Sequence, residues 1–172
     1  RVRASYIQVD FGAGITNASF QHLLNFQDFE CLIDLGSGGG FPGLIIAAYF
    51  PDRTIHLVEA NQRKSSFLNV AANAMNVRVK IHQTRIIRFK PLPINAKILT
   101  ARAFAPLDQL IEYVHYALIN GSELFAFKGK NWRKEMADAK HKYCFESQIF
   151  ASKIIEESKI LNIKKFQQKN LA

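Results

Sequence analysis

Residues 31–43 read Cys31-Leu-Ile-Asp34-Leu-Gly36-Ser-Gly38-Gly-Gly40-Phe-Pro42-Gly43. The first five form a short, nearly continuous apolar run, the pattern of a strand covered on both faces. Glycines then crowd the next positions. A backbone that turns sharply and passes close to a ligand needs residues without a Cβ there. Pro42 suits the first turn of a helix, where its missing N–H would have no partner anyway. That helix is predicted to run to about Phe50 and to stop at Pro51. Strand, glycine turn and helix together open a βαβ unit.

The remaining chain continues the alternation. Thr54–Glu59 is the second predicted strand, and Asn61 caps a helix with Phe67, Leu68, Ala71 and Met75 on one face. Val77–His82 and Lys97–Thr100 are the third and fourth strands. Pro106 opens a helix carrying Leu107, Leu110, Ile111, Val114 and Leu118 at helical spacing. A turn at Asn120-Gly121 leads to a fifth strand, Glu123–Phe127. A polar helical stretch follows from Asn131 to about His141. Tyr143–Ser152 and Ser158–Phe166 then read as an antiparallel pair at a sheet edge. The expected fold is α/β, a doubly wound, mostly parallel Rossmann-like sheet with right-handed crossovers and an antiparallel C-terminal hairpin. Residues 1–30 show no clean period beyond a short helix over Gln21–Phe29. Because the chain opens on Arg1 rather than Met, this N-terminal segment is expected to be incomplete, and residues 31–172 are expected to form the domain.

Composition narrows the class. Apolar residues make up 48% and charged residues 22%, a globular rather than disordered balance. The longest apolar stretch, Leu44–Phe50, is too short to span a bilayer, and no signal peptide is evident, so a cytoplasmic monomer is expected. Cys31 and Cys144 are far apart and in no metal-ligand spacing; they read as reduced thiols, and no metal is expected. Lys plus Arg outnumber Asp plus Glu by 23 to 14, a net charge of +9 that favours a polyanionic partner, nucleic acid first.

The glycine loop has a partner at Glu59, the acid that ends the second strand. A carboxylate there accepts hydrogen bonds from both hydroxyls of an adenosine ribose. The G-x-G-x-x-G register at Gly38, Gly40 and Gly43 is weak by itself. Loop and acid together predict an adenosine-bearing ligand, either NAD or S-adenosylmethionine. Phe41 and Pro42 fill the turn where a pyrophosphate would need free N–H donors, which disfavours the dinucleotide. The pattern Asp34-x-Gly36-x-Gly38-x-Gly40 instead resembles the first motif of class I methyltransferases.

Four segments occur in order: Gly38-Gly-Gly40-Phe-Pro-Gly43-Leu-Ile-Ile; Leu57-Val-Glu59 with Arg63-Lys-Ser-Ser-Phe-Leu68; Ala101-Arg102-Ala-Phe-Ala-Pro106-Leu; and Ala126-Phe-Lys128-Gly129. Together they resemble the RsmG (GidB) family of bacterial 16S rRNA methyltransferases over roughly residues 31–130. The resemblance implies methyl transfer from S-adenosylmethionine to N7 of a guanine in the 530 loop of 16S rRNA, position 527, on free RNA or a small-subunit particle. It also implies cofactor contacts at Gly36, Ser37, Gly38, Phe41, Glu59, Ile86, Ile87 and Arg102, with Phe41 a wall and the backbone of Ile86 and Ile87 flanking the adenine. Two departures stand out. The adenine-flanking pair ends in Ile87 where the family pattern has an acid, and the family's His-x-x-Asp-Ser signature is not recognisable before Cys31.

The expected chemistry suits the residues. Guanine N7 carries an in-plane lone pair and no proton, so the reaction needs alignment and exclusion of water rather than a general base. No Asn- or Asp-Pro-Pro-aromatic motif for exocyclic amines follows the fourth strand, and neither cysteine suits attack on a pyrimidine. No catalytic acid or base is therefore assigned. Arg102 is the candidate for meeting the cofactor carboxylate, a phosphate or a guanine oxygen. Arg63, Lys64, Lys128, Lys130 and Arg133 are candidates for RNA phosphate, with Trp132 either stacking on a base or packing beneath its helix. The five histidines read as structural or solvated. The competing readings are a methyltransferase for a small molecule or protein, and a non-catalytic RNA-binding domain of the same fold.

Overall fold

The computed structural model describes residues 29–151 and 157–167. The segment 1–28, with the helix expected over Gln21–Phe29 except for Phe29 itself, lies outside the described residues, as does the expected strand end at Ser152. Seven strands form one sheet in the order β3-β2-β1-β4-β5-β7-β6. β1 (Cys31–Leu35), β2 (Thr54–Val58), β3 (Lys80–His82), β4 (Ile98–Arg102) and β5 (Glu123–Lys128) run parallel. β7 (Lys159–Gln167) is antiparallel to β5, and β6 (Cys144–Ala151) pairs with β7 at the edge. Four helices connect them: α1 (Gly43–Tyr49), α2 (Gln62–Ala74), α3 (Leu107–Ile119) and α4 (Trp132–Lys142). Among the described residues no helix is long and apolar enough to cross a membrane.

Both faces of the sheet are apolar, and each has its own core. Ile33, Leu35, Leu99, Ala101, Leu124 and Ala126 pack with Leu107, Leu110, Ile111, Val114 and Leu118 of α3 and Met136 and Ala139 of α4. The alternate residues Leu32, Ile55, Leu57, Ile98 and Phe125 face the other way, toward Leu44, Ile45 and Ile46 of α1 and Leu68 and Ala72 of α2. Each fully buried Leu or Ile contributes about 1.5–3 kcal/mol relative to exposure. The two-sided burial explains why the strands read as continuous apolar runs rather than alternating ones.

Two element starts and one helix face depart from the sequence expectation. β3 covers Lys80–His82 only, because the Val77 N–H is taken by Ala72 O at the end of α2. Pro42 sits at the N-cap rather than inside α1, its carbonyl receiving the N–H groups of Ile45 and Ile46. The buried face of α2 is Ser65, Leu68 and Ala72, whereas Phe67 and Met75 are 53% and 40% exposed. The phase of this helix is fixed at its start. Asn61 Oδ1 accepts from Lys64 N at 3.1 Å, and Ser65 Oγ donates to Glu59 O at 3.2 Å, which turns Ser65 inward and Phe67 outward.

Strand order reverses between β1 and β4, the switch point at which open α/β sheets bind ligands beyond the carboxyl ends of their strands. Leu35 is level with Val58 on one side and Ala101 on the other. That register delivers Gly36, Glu59 and Arg102 to the same edge.

Candidate functional site

The loop after β1 is built by short-range bonds. Ser37 N–H donates to Val58 O at 3.1 Å and Ser37 Oγ to Asp34 O at 2.9 Å, so Ser37 is buried with its hydroxyl already engaged. Gly36 has φ of +65°, and a Cβ there would lie 2.5 Å from Phe104 Cδ2. At Gly43 a Cβ would come within 2.3 Å of Leu57 Cδ2, so glycine lets α1 approach the sheet. Asp34 is buried beneath the loop. Its Oδ1 accepts from Thr100 Oγ1 at 2.7 Å and its Oδ2 from Gly43 N at 3.3 Å. Burial pushes its pKa up to about 6 despite those bonds and the nearby Arg102 charge.

Glu59 joins two loops. Its Oε2 accepts the Gly38 N–H at 3.0 Å and its Oε1 the Asn61 N–H at 2.8 Å, while its own N–H donates to His82 O. An ionised carboxylate offers about four lone-pair sites, so acceptor capacity remains for two hydroxyls. The acid is thus aimed at the glycine loop and fixed there from both sides.

Beside it lies a cleft of about 220 Å³, lined by Gly36, Val58, Glu59, Ala60, Thr84, Arg85, Ile86, Phe104 and Tyr113. Whole-ligand sites commonly measure roughly 300–1,000 Å³, so this cleft suits one part of a ligand whose remainder lies along the open loop. Of the expected cofactor contacts, Gly36, Glu59 and Ile86 line the cleft, and Gly38 is held against it by Glu59. Phe41 and Arg102 stand together, the Arg102 guanidinium 5.7 Å from the Phe41 ring centroid, outside the lining of the cleft. Ile87 is not part of the wall. It is 57% exposed, whereas its neighbour Ile86 lines the cleft.

The sequence reading missed Phe104, Tyr113, Thr84 and Arg85. Phe104 and Tyr113 meet edge-to-face at 5.0 Å and make the aromatic wall. Phe104 was signalled only by its place in Ala101-Arg-Ala-Phe-Ala-Pro106, at the mouth of β4. Tyr113 lies off the apolar stripe of α3 and had no signal of its own.

The cation candidates divide. Lys128 is corrected: its side chain is 8% exposed, Nζ lies 2.7 Å from Glu135 Oε2, and it also donates to Ala105 O. Glu135 Oε2 in turn accepts the Leu107 N–H at 2.9 Å. This lysine ties β5, α3 and α4 together and has no free charge to offer a phosphate. Arg63, Lys64, Lys130 and Arg133 are exposed at the same edge of the sheet. Trp132 is half-buried against the core and has the Arg133 guanidinium 4.6 Å over its ring, so packing accounts for it. A larger hollow of about 650 Å³ lies at the opposite end of the strands, between Cys31, Lys97 and Ser122. It lies away from the carboxyl ends of the parallel strands, where open α/β sheets bind their ligands, and the small cleft is the better candidate.

Comparison with known proteins agrees with this geometry. The profile of the rRNA small subunit methyltransferase G (GidB) family matches residues 17–163. The chain is 44% identical over 133 residues to the ribosomal RNA small subunit methyltransferase G of Granulibacter bethesdensis, covering 77% of this chain and 61% of that protein. It is 38% identical to the protein of the same name from Rhodospirillum rubrum, covering 77% and 64%. The chain therefore spans somewhat under two thirds of the length of these curated relatives. Among solved structures, a SAM-dependent methyltransferase from Aquifex aeolicus superposes with a TM-score of 0.65 at 11% identity, covering 91% of this chain and 94% of that one. The low identity makes this a likeness of fold, that of the class I methyltransferases. The extent of the sequence match goes further: the chain belongs to the rRNA small subunit methyltransferase G (GidB) family.

Proposed function

We propose that this chain transfers a methyl group from S-adenosylmethionine to N7 of a guanine in the 530 loop of 16S rRNA, free or in a small-subunit particle. The observation that carries the reading is Glu59, fixed by the Gly38 and Asn61 amides at the mouth of an aromatic-walled cleft. S-adenosylmethionine supplies an electrophilic methyl on a sulfonium centre. The residues present fit such a group. Glu59 retains lone pairs for ribose hydroxyls, while Ile86, Phe104 and Tyr113 offer an apolar slot for a flat purine and exclude water from it. Gly36 leaves space that a Cβ would close.

Among the described residues no histidine lines the cleft. That fits a nucleophile such as guanine N7, which has no proton to remove. Arg102, beside Phe41, is placed to meet a carboxylate or an RNA oxygen. Arg63, Lys64, Lys130 and Arg133 supply exposed positive charge around the opening, in keeping with a net charge of +9. The names of the relatives specify small-subunit ribosomal RNA as their substrate class.

The test combines binding with product mapping. Calorimetry is expected to show S-adenosylhomocysteine binding to the protein and a loss of at least about tenfold in Glu59→Gln, whose amide presents a donor to one of two backbone donors. Mass mapping of 16S RNA after reaction is expected to place the methyl on a guanine of the 530 loop. Transfer to a different nucleotide, or to protein alone, would overturn the substrate; an absence of nucleoside binding would overturn the enzyme.

A further inference from the structure

Between β3 and β4 the chain runs without a helix, and its first part supplies one wall of the cleft through Thr84, Arg85 and Ile86. Two residues on, Arg88 leaves this wall and reaches across to α3. Its Nη2 donates to Gln109 Oε1 at 2.7 Å, and its Nη1 lies 3.1 Å from Glu112 Oε2. Its guanidinium sits 5.2 Å from the Tyr113 ring centroid. A hydrogen bond with Tyr113 heads the interactions that raise its pKa above the ordinary arginine value. Gln109, Glu112 and Tyr113 are spaced i, i+3 and i+4 on one face of α3, so they form a socket for a single planar cation. The next residue repeats the attachment through the main chain, where Phe89 N–H donates to Glu112 O at 2.8 Å. Phe89 has φ of +51°, an unfavourable conformation for a bulky residue that persists when its surroundings over-determine it.

The socket touches the cleft from the other side as well. Tyr113 is both a wall of the socket and a wall of the cleft, and its ring meets Phe104, which lies over Gly36. The Arg88 guanidinium, together with the Phe89 amide, therefore bridges the link that carries the Ile86 wall and the helix that carries the Tyr113 wall. Its charge is 45% exposed, and a surface ion pair adds little to global stability. The arrangement is more consequential for local order.

We propose that Arg88 is a positioning residue for the nucleoside part of the cofactor: seated among Gln109, Glu112 and Tyr113, it straps residues 84–89 to α3 and fixes the width of the cleft before ligand arrives. This inference rests on the nucleoside reading of the cleft given above. Pre-organisation of this kind acts on affinity by removing an ordering cost from the binding step.

The experiment compares the protein with Arg88→Ala, Arg88→Lys and Gln109→Leu. Calorimetry measures affinity and stoichiometry for S-adenosylhomocysteine. Steady-state kinetics measure kcat and the two KM values with 16S RNA particles, and thermal melts report stability. Arg88→Ala is expected to weaken nucleoside binding and raise KM for S-adenosylmethionine by about tenfold, with kcat and KM for RNA within about twofold. Arg88→Lys keeps the charge but not the fork or the stack, and falls between the two. Gln109→Leu leaves α3 intact and carries the same expectation at smaller size, should Arg88→Ala fold poorly. Unchanged affinity in these variants overturns the proposal. So does a fall in stoichiometry at unchanged affinity, the mark of a residue that merely keeps molecules folded. If the unaltered protein binds no nucleoside, the reading of the cleft itself falls and takes this inference with it.

Discussion

Thr100 Oγ1 donates to Asp34 Oδ1 across 2.7 Å, linking β4 to β1 at the point where the strand order reverses. The two residues are level in the parallel register. Asp34 also receives the Gly43 amide from the start of α1, so one buried carboxylate joins two strands and a helix beneath the glycine loop.

That carboxylate makes stability depend on pH. Its pKa rises on folding from 3.8 to about 6, chiefly through burial, so the folded protein binds its proton more tightly than the unfolded chain does. The contribution is fully present below about pH 4 and is lost as pH climbs through 6. Two pKa units correspond to roughly 3 kcal/mol. Denaturant titrations of the protein and of Asp34→Asn from pH 4 to pH 7 are expected to show the difference in unfolding free energy moving by about that amount in favour of the variant. A flat difference would show that Asp34 titrates normally.

Arg102 lowers the same pKa by its charge. Arg102→Ala is therefore expected to shift this pH transition upward, in the same titrations. It is also expected to cut methyl transfer by about tenfold, with little recovery in Arg102→Lys, because an ammonium does not reproduce a planar guanidinium stacked near Phe41.

Gly36→Ala brings a Cβ into Phe104 and demands φ of +65° from an L side chain. The backbone term alone is about 1–2 kcal/mol. Displacement of the Phe104 ring also deforms the cleft wall. Calorimetry is expected to show nucleoside affinity reduced by more than tenfold, alongside a lowered melting temperature.

Lys128 and Lys130 are two residues apart in sequence and differ in surroundings, the first paired with Glu135 and the second exposed. Lys128→Ala leaves Glu135 without its cation in a mostly buried place, and is expected to destabilise the fold by roughly 3 kcal/mol. Lys130→Ala is expected to leave the melt unchanged and to lower RNA affinity, with the slope of log affinity against log salt smaller by about 1. A stable Lys128→Ala protein that binds RNA poorly would reverse this assignment.

The order of elements was legible because two-sided burial writes itself as unbroken apolar runs such as Cys31–Leu35 and Glu123–Phe127, and because Gly and Pro punctuate the turns. Gly36 and Glu59 were legible for a related reason: a strand followed by a close backbone approach restricts the residue types at those positions. The inward face of α2 was not. Four apolar residues suggested a stripe through Phe67, but a cap at Asn61 and a hydroxyl at Ser65 set the rotation instead.

Sequence by itself determined the parallel sheet, the glycine turn after its first strand and the acid that ends the second, since these are local demands of burial, backbone freedom and hydrogen bonding. Tertiary structure alone decided what each charge does. Lys128 is neutralised by Glu135, Arg88 is seated on α3, and Tyr113 becomes a cleft wall. The strength of a charge depends on its burial and on partners that arrive from distant parts of the chain, and no spacing along one strand or helix encodes them.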